Sequence, residues 1–224
     1  MNWVCVGDQN QGNRHRQEDR WDIFRQRNRL LAVVADGMGG MPLGDAAAEE
    51  AVETSGATFR EKKLHMEDPA KVLIAAVTKA DRAVWEMAAR EGLAGSVGTT
   101  LVAVLAEGRW AWWVSVGDSR VYLFRKGVLR QLSRDHTVGE ELREARRGGA
   151  SPERDPLFWS SPEAITSFIG IGGLEKVSQP ESPLHAEKGD RLLLASDGLF
   201  NTLSSEKILA CLEGSPENPA RALV

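Results

Sequence analysis

Residues 110–132 read WAWWVSVGDSRVYLFRKGVLRQL: two apolar runs, Trp110–Val116 and Val121–Phe124, separated by Gly117-Asp118-Ser119-Arg120, with Lys126-Gly127 beyond. Aromatic and β-branched runs of about 4–8 residues bounded by Gly and Asp are strand signals. The short connections predict a meander of hairpins, and hence largely antiparallel sheets. Working outward, the same unit recurs. Trp3–Val6 runs into Gly7-Asp8, Leu30–Ala35 into Asp36-Gly37, and Leu192–Ala195 into Ser196-Asp197-Gly198, while Leu101–Leu105 is a further strand.

Helical signals fill the gaps. Ala46–Leu64 is rich in Ala and Glu and follows Gly44-Asp45. Pro69–Arg90 spaces Val72, Ala76, Ala80, Ala83 and Met87 along one apolar stripe, with Asp68 as cap, Pro69 in the first turn and Gly92 as stop. Shorter helices are predicted at Val138–Arg147 and Ser205–Leu212, and Asn218-Pro219 opens another. Residues 149–165 mix Pro, Gly and charge as an irregular surface insertion. Strands, two helices, then mostly strands predict an α+β fold with helices packed on antiparallel sheets.

The 224 residues suffice for one substantial core, and a single domain spanning 1–224 is expected. A formal net charge of −4 points away from nucleic acid and anionic membranes, and the clusters Arg25–Arg29 and Arg143–Arg147 read as solvated faces. Cys5 and Cys211 lie in apolar contexts without CxxC spacing, as buried free thiols of a reducing compartment would. No run reaches the ~18 apolar residues that span a bilayer, and the N-terminus lacks a basic stretch followed by an apolar core. A cytoplasmic monomer is expected.

Each acidic turn has an innocent explanation, because Asp-Gly is common tight-turn chemistry. Taken jointly they say more. Strand ends gathered at one edge would make a carboxylate cluster of Asp36, Asp118 and Asp197, the oxygen-only set that Mg²⁺ and Mn²⁺ prefer; no His/Cys spacing offers a zinc site. Gly37 would let its carbonyl join such a shell. Upstream, Arg14 precedes Glu18-Asp19, and a guanidinium beside an acidic pair suits a phosphate contact.

In order, these pieces resemble the protein phosphatase 2C family of metal-dependent Ser/Thr phosphatases, in its bacterial form. The matching residues are Arg14 with Glu18-Asp19, Val33 through Asp36-Gly37-Met38-Gly39-Gly40, Gly98-Thr99-Thr100-Leu101, Val116 through Asp118-Ser119-Arg120, Leu132 with Asp135-His136-Thr137, Ala164-Ile165-Thr166, and Gly189-Asp190-Arg191 through Ser196-Asp197-Gly198-Leu199. The resemblance spans residues 3–212. It implies a sandwich of two antiparallel β-sheets flanked by pairs of helices. Asp36 would bridge two Mn²⁺ or Mg²⁺ ions, the Gly37 carbonyl would bind one and Asp197 the other, and Asp118 would hold a third. Glu18 and Asp19 would order water and Arg14 would grip the phosphate. The implied reaction is direct attack of a metal-bridging hydroxide on phosphorus, without a phosphoenzyme. Residues 137–165 would form a flap-like insertion, and the partners would be phosphorylated proteins and a cognate Ser/Thr kinase.

Departures from the pattern are Met41 for His, Ser167 for Arg after Ile-Thr, and Asn201 for Asp. The family's final helix, Asp-Asn motif and last strand have no counterpart, so the natural chain is expected to continue beyond Val224. A native mass equal to that of 224 residues would refute this expectation. The competing expectation is a catalytically weak, phosphate-binding regulatory module with an incomplete metal site.

Overall fold

A computed structural model describes residues 3–12, 14–38, 43–64, 67–149, 161–214 and 218–224. Five strands form one antiparallel sheet in the order β1-β2-β3-β4-β7, with β1 at Asp19–Gln26, β2 at Arg29–Asp36, β3 at Leu101–Glu107, β4 at Trp110–Val116 and β7 at Leu184–His185. A second antiparallel sheet is ordered β6-β5-β8, with β5 at Arg120–Arg125, β6 at Val128–Gln131 and β8 at Arg191–Ala195.

Alternation along β3 explains the layering. Leu101, Ala103 and Leu105 face a core shared with α1 (Gly44–Phe59) and α2 (Pro69–Arg90). Val102 and Val104 point the other way and pack with Ala111, Trp113 and Val121 in a second core, which Leu192 and Leu194 of β8 also join. A third core joins Phe124 to Ile208 and Leu212 of a C-terminal helix (Ser205–Glu213) and Leu223 of the last one (Pro219–Leu223). The result is two sheets face to face with helices outside each, as expected for the α+β sandwich.

Helices α2 and α3 (Val138–Arg147) have the predicted bounds. The Asp68 carboxylate accepts from the Ala70 amide at 2.8 Å, the cap anticipated for α2. Helix α1 is shorter than its Ala-rich run: it ends at Phe59, and a 3₁₀ turn follows at Lys62–Leu64. A short helix, α4, at Asp197–Thr202 precedes α5 (Ser205–Glu213) and α6 (Pro219–Leu223).

Two strand expectations need correction. Trp3–Val6 forms no strand. Trp3 instead inserts its ring beside the inter-sheet core and donates from Nε1 to the Gly108 carbonyl at 3.1 Å. The 110–132 stretch is not a simple meander. The Lys126-Gly127 hairpin between β5 and β6 is present, but β4 and β5 lie in different sheets. Gly117-Asp118-Ser119 is therefore the crossing between layers, with Gly117 at φ 97°.

The insertion is closed at its base by a Thr137–Ile165 bridge and by the Gly139 amide donating to the Pro162 carbonyl at 2.7 Å. Its residues 150–160 lie outside the described residues, as do Gly39, Gly40 and Met41.

Candidate active site

The register of β1 against β2 sets Asp19 directly opposite Asp36 at the end of the ladder. Three hydrogen bonds fix the turn that follows. The Gly37 amide donates to the Glu18 carbonyl at 3.1 Å, the Met38 amide to the Gly98 carbonyl at 3.1 Å, and the Thr100 amide to the Asp36 carbonyl at 2.9 Å. The Asp36 amide donates to Thr100 Oγ1 at 3.1 Å, which in turn lies 2.7 Å from Ser119 Oγ. Two buried hydroxyls thus tie the Asp36 turn to the turn carrying Asp118.

From the other sheet, β8 delivers Asp197 as the first residue of α4. Ser196 Oγ donates to Asp19 Oδ2 at 3.2 Å, and Asn201 Nδ2 to Asp197 Oδ2 at 3.2 Å. Asn201 therefore supports the very carboxylate beside which an acid would add a further like charge.

Asp19, Asp36, Asp118 and Asp197 are all partly buried and act on one another electrostatically. Burial, then the charges of Asp19, Asp197 and Asp118, pushes the Asp36 carboxyl up to about 9. Burial and the Asp197 charge raise Asp118 to about 6. Asp19 is raised by burial too, against the hydrogen bond from Ser196 and the positive charge of Arg14. Arg14 itself is exposed, within electrostatic reach of Asp19. Glu18 contributes its carbonyl to the Gly37 turn, and its carboxylate lies beside Gly44, where α1 starts.

Gly37 is required for space. A Cβ there would stand 2.3 Å from the Gly44 carbonyl oxygen and 3.0 Å from that of Glu18. Ser167, buried at 3 % exposure, donates to the Lys176 carbonyl at 3.1 Å, so this loop is held by a small hydroxyl that needs no guanidinium.

Several supporting groups stand within the quoted motifs, where the sequence assigns them no role. Ser196 fastens Asp19, and the Thr100–Ser119 pair joins the two turns. Arg120 holds Asp135 through Nε and Nη2, at 3.0 and 2.7 Å to Oδ2, and its guanidinium stacks 3.7 Å from the Phe200 ring centroid. Ser119 and Ser196 are each adjacent to a motif aspartate, and Arg120 follows Ser119, whereas Thr100 reaches Asp36 only through strand pairing.

His136 is another such support. Its Nδ1 accepts from the Gly117 amide at 3.2 Å, and burial holds its pKa below the usual 6.5, helped by Lys176 and Arg134 and opposed by Glu141 and Asp135. The folded state favours the neutral ring, so the unfolded chain takes up more protons below about 6.5 and stability falls as pH drops through that range. Thermal unfolding at pH 7 and pH 5 is expected to show a larger loss for wild type than for H136Q, which keeps an acceptor but does not titrate. Equal losses would refute the assignment.

The donor set fits hard divalent cations: carboxylates and a carbonyl, with buried negative charge that only positive charge relieves. Among the described residues no three carboxylate, imidazole or thiolate groups close into an ion cage.

Two antiparallel sheets thus lie between helical layers, with an acidic centre on the seam. The structure matches the serine/threonine phosphatase of S. agalactiae with a TM-score of 0.77 and 26% identity, over 98% of this chain and 90% of that one. It matches a stage II sporulation E family protein of Thermanaerovibrio acidaminovorans with a TM-score of 0.65 and 36% identity, over 80% and 79% of the two chains. In sequence, it is 33% identical over 191 residues to the serine/threonine phosphatase stp of Listeria monocytogenes, covering 84% of this chain and 74% of that protein. The protein phosphatase 2C profile matches residues 6–215, and the chain belongs to that family.

Proposed function

We propose that this protein hydrolyses phosphoserine and phosphothreonine in protein substrates, using Mn²⁺ or Mg²⁺. The observation that supports this best is the gathering of Asp19, Asp36, Asp118 and Asp197 from both sheets, with Asp36 pushed to about 9 by burial and its neighbours' charges. The Asp36 carboxylate, the Gly37 carbonyl and Asp197 would hold two ions, and Asp118 a third. When bound, the ions lower the pKa of a water and neutralise phosphoryl oxygens. Glu18 and Asp19 orient that water, and the exposed Arg14 guanidinium grips the phosphate in a fork. Oxygen from water bonds to phosphorus, the ester P–O bond breaks, and the alcohol side chain leaves with a proton, so no phosphoenzyme is needed.

The biological reading is reversal of a bacterial Ser/Thr kinase by a cytoplasmic monomer with a single phosphatase domain. Among the described residues no helix is long and apolar enough to cross a membrane. A second reading, a weakly catalytic phosphate-binding regulator, draws on one observation, the lack of a closed ion cage among the described residues.

The test is hydrolysis of a phosphothreonine peptide. Turnover is expected with Mn²⁺, abolished by EDTA and restored by added Mn²⁺. Peptide binding without turnover at saturating Mn²⁺ would establish the regulator instead.

A further inference from the structure

Asp81 is a carboxylate in the middle of α2, at 5 % exposure, and belongs to none of the quoted motifs. Its Oδ1 accepts two backbone amides, from Gly170 at 2.8 Å and Gly172 at 3.3 Å. Those glycines sit at φ 105° and 83°, and the loop they form lies flat on the helix. A Cβ on Gly170 would stand 2.7 Å from Val84 Cγ1, and one on Gly172 2.5 Å from Trp85 Cδ1. Only a short acceptor presented by α2 can reach the amides of so close a loop.

The loop leads straight to the site. Ile169, next to Gly170, pairs with Thr99: its amide donates to the Thr99 carbonyl at 2.8 Å, and the Thr99 amide donates back at 3.1 Å. Thr99 in turn bridges to Gly37, through the Met38–Gly98 and Thr100–Asp36 backbone bonds. Three extended segments therefore lie side by side, with Gly37 on one edge and the loop gripped by Asp81 on the other. Beyond the single bond from the Gly37 amide to the Glu18 carbonyl, this miniature ladder holds 37–38, which has passed the end of the β1–β2 pairing.

We infer that Asp81 is a positioning residue for the ion-holding turn at Asp36-Gly37, acting through the 169–172 loop; this rests on the function proposed above. A carboxylate serves as a fixed double acceptor. Charge is not the requirement, so an amide oxygen at the same place should replace it.

The test compares wild type, D81N and D81L by Mn²⁺ titration, with free Mn²⁺ read by electron paramagnetic resonance, and by phosphopeptide kinetics at saturating Mn²⁺. D81N should bind Mn²⁺ as wild type does. D81L should weaken Mn²⁺ binding about tenfold or more, the scale of lost outer-shell support, while the peptide KM is unchanged. Amide exchange in metal-free D81L should accelerate at Thr99 and Met38 but not in β5 or β6. D81S, whose hydroxyl falls short of both amides, is read the same way and serves if leucine prevents folding. Wild-type Mn²⁺ affinity in folded D81L or D81S would overturn the inference and leave the function standing. Equal weakening in D81N and D81L would overturn it as well, by making charge the requirement. A wild-type chain that binds no Mn²⁺ would remove the proposed function and this inference together.

Discussion

D36N is expected to cut phosphopeptide hydrolysis by at least about a thousandfold, the scale of losing a central electrostatic group, while raising the melting temperature of the metal-free protein. Both effects have one origin. Asp36 is placed in a partly buried position facing Asp19, Asp118 and Asp197, an arrangement that costs stability without a counter-charge. At neutral pH the metal-free fold must hold a proton on this carboxyl, and the amide keeps the shape without that cost, so a rise of roughly 5 °C is expected for a chain of this size. Mn²⁺ should raise the melting temperature of wild type and do much less for the variant, because binding to the folded state alone stabilises it. Differential scanning fluorimetry with and without EDTA measures all four states. A D36N protein that is less stable than wild type without metal would contradict the electrostatic account, and one with full activity would contradict the site.

G37A is expected to fail for the opposite reason. The added methyl would stand 2.3 Å from the Gly44 carbonyl oxygen, and the neighbour is backbone rather than a flexible side-chain tip. Either α1 moves away at its first residue or the 36–38 turn is displaced. Overpacking of this sort costs about 2–3 kcal/mol, which lowers the melting temperature by roughly 5–10 °C. The displaced turn carries Asp36, so activity should fall with it even in the fraction that folds. Unchanged Mn²⁺ affinity and turnover in G37A would show that the close approach is not needed.

The elements legible in the sequence are those whose signals are local. Asp68-Pro69 and the small-residue stripe set α2, and Lys126-Gly127 fixes the β5–β6 hairpin. Asp36, Asp118 and Asp197 were legible because each follows an apolar run, and Asp19 because it pairs with Glu18 after Arg14. What failed depended on partners far away in the chain. Trp3–Val6 has strand composition but no ladder among the described residues, and Trp3 packs against the inter-sheet core instead. Conversely β1 reads DRWDIFRQ, with only Phe24 buried, so its alternation is too weak to announce a strand, and pairing along the whole of β2 makes it one. The turn at 117–119 has hairpin chemistry but joins two layers, a choice set by packing rather than by dihedral preference. Asp81 was invisible for the same reason: an acid on an otherwise ordinary helix acquires a role only when a loop some ninety residues later settles onto it.

That crossing has a mechanical side. Asp19 and Asp36 ride on one sheet, Asp197 on the other, and Asp118 on the strap between them. Anything that binds all four acts as a rivet through two plates. Sliding one plate over the other by about an ångström, the scale on which misplaced groups lose activity, would disarm the site without breaking a strand. The stiffness of the inter-sheet core, Val102, Val104, Trp113 and Val121, thereby becomes a determinant of turnover, although none of these side chains belongs to the acidic centre.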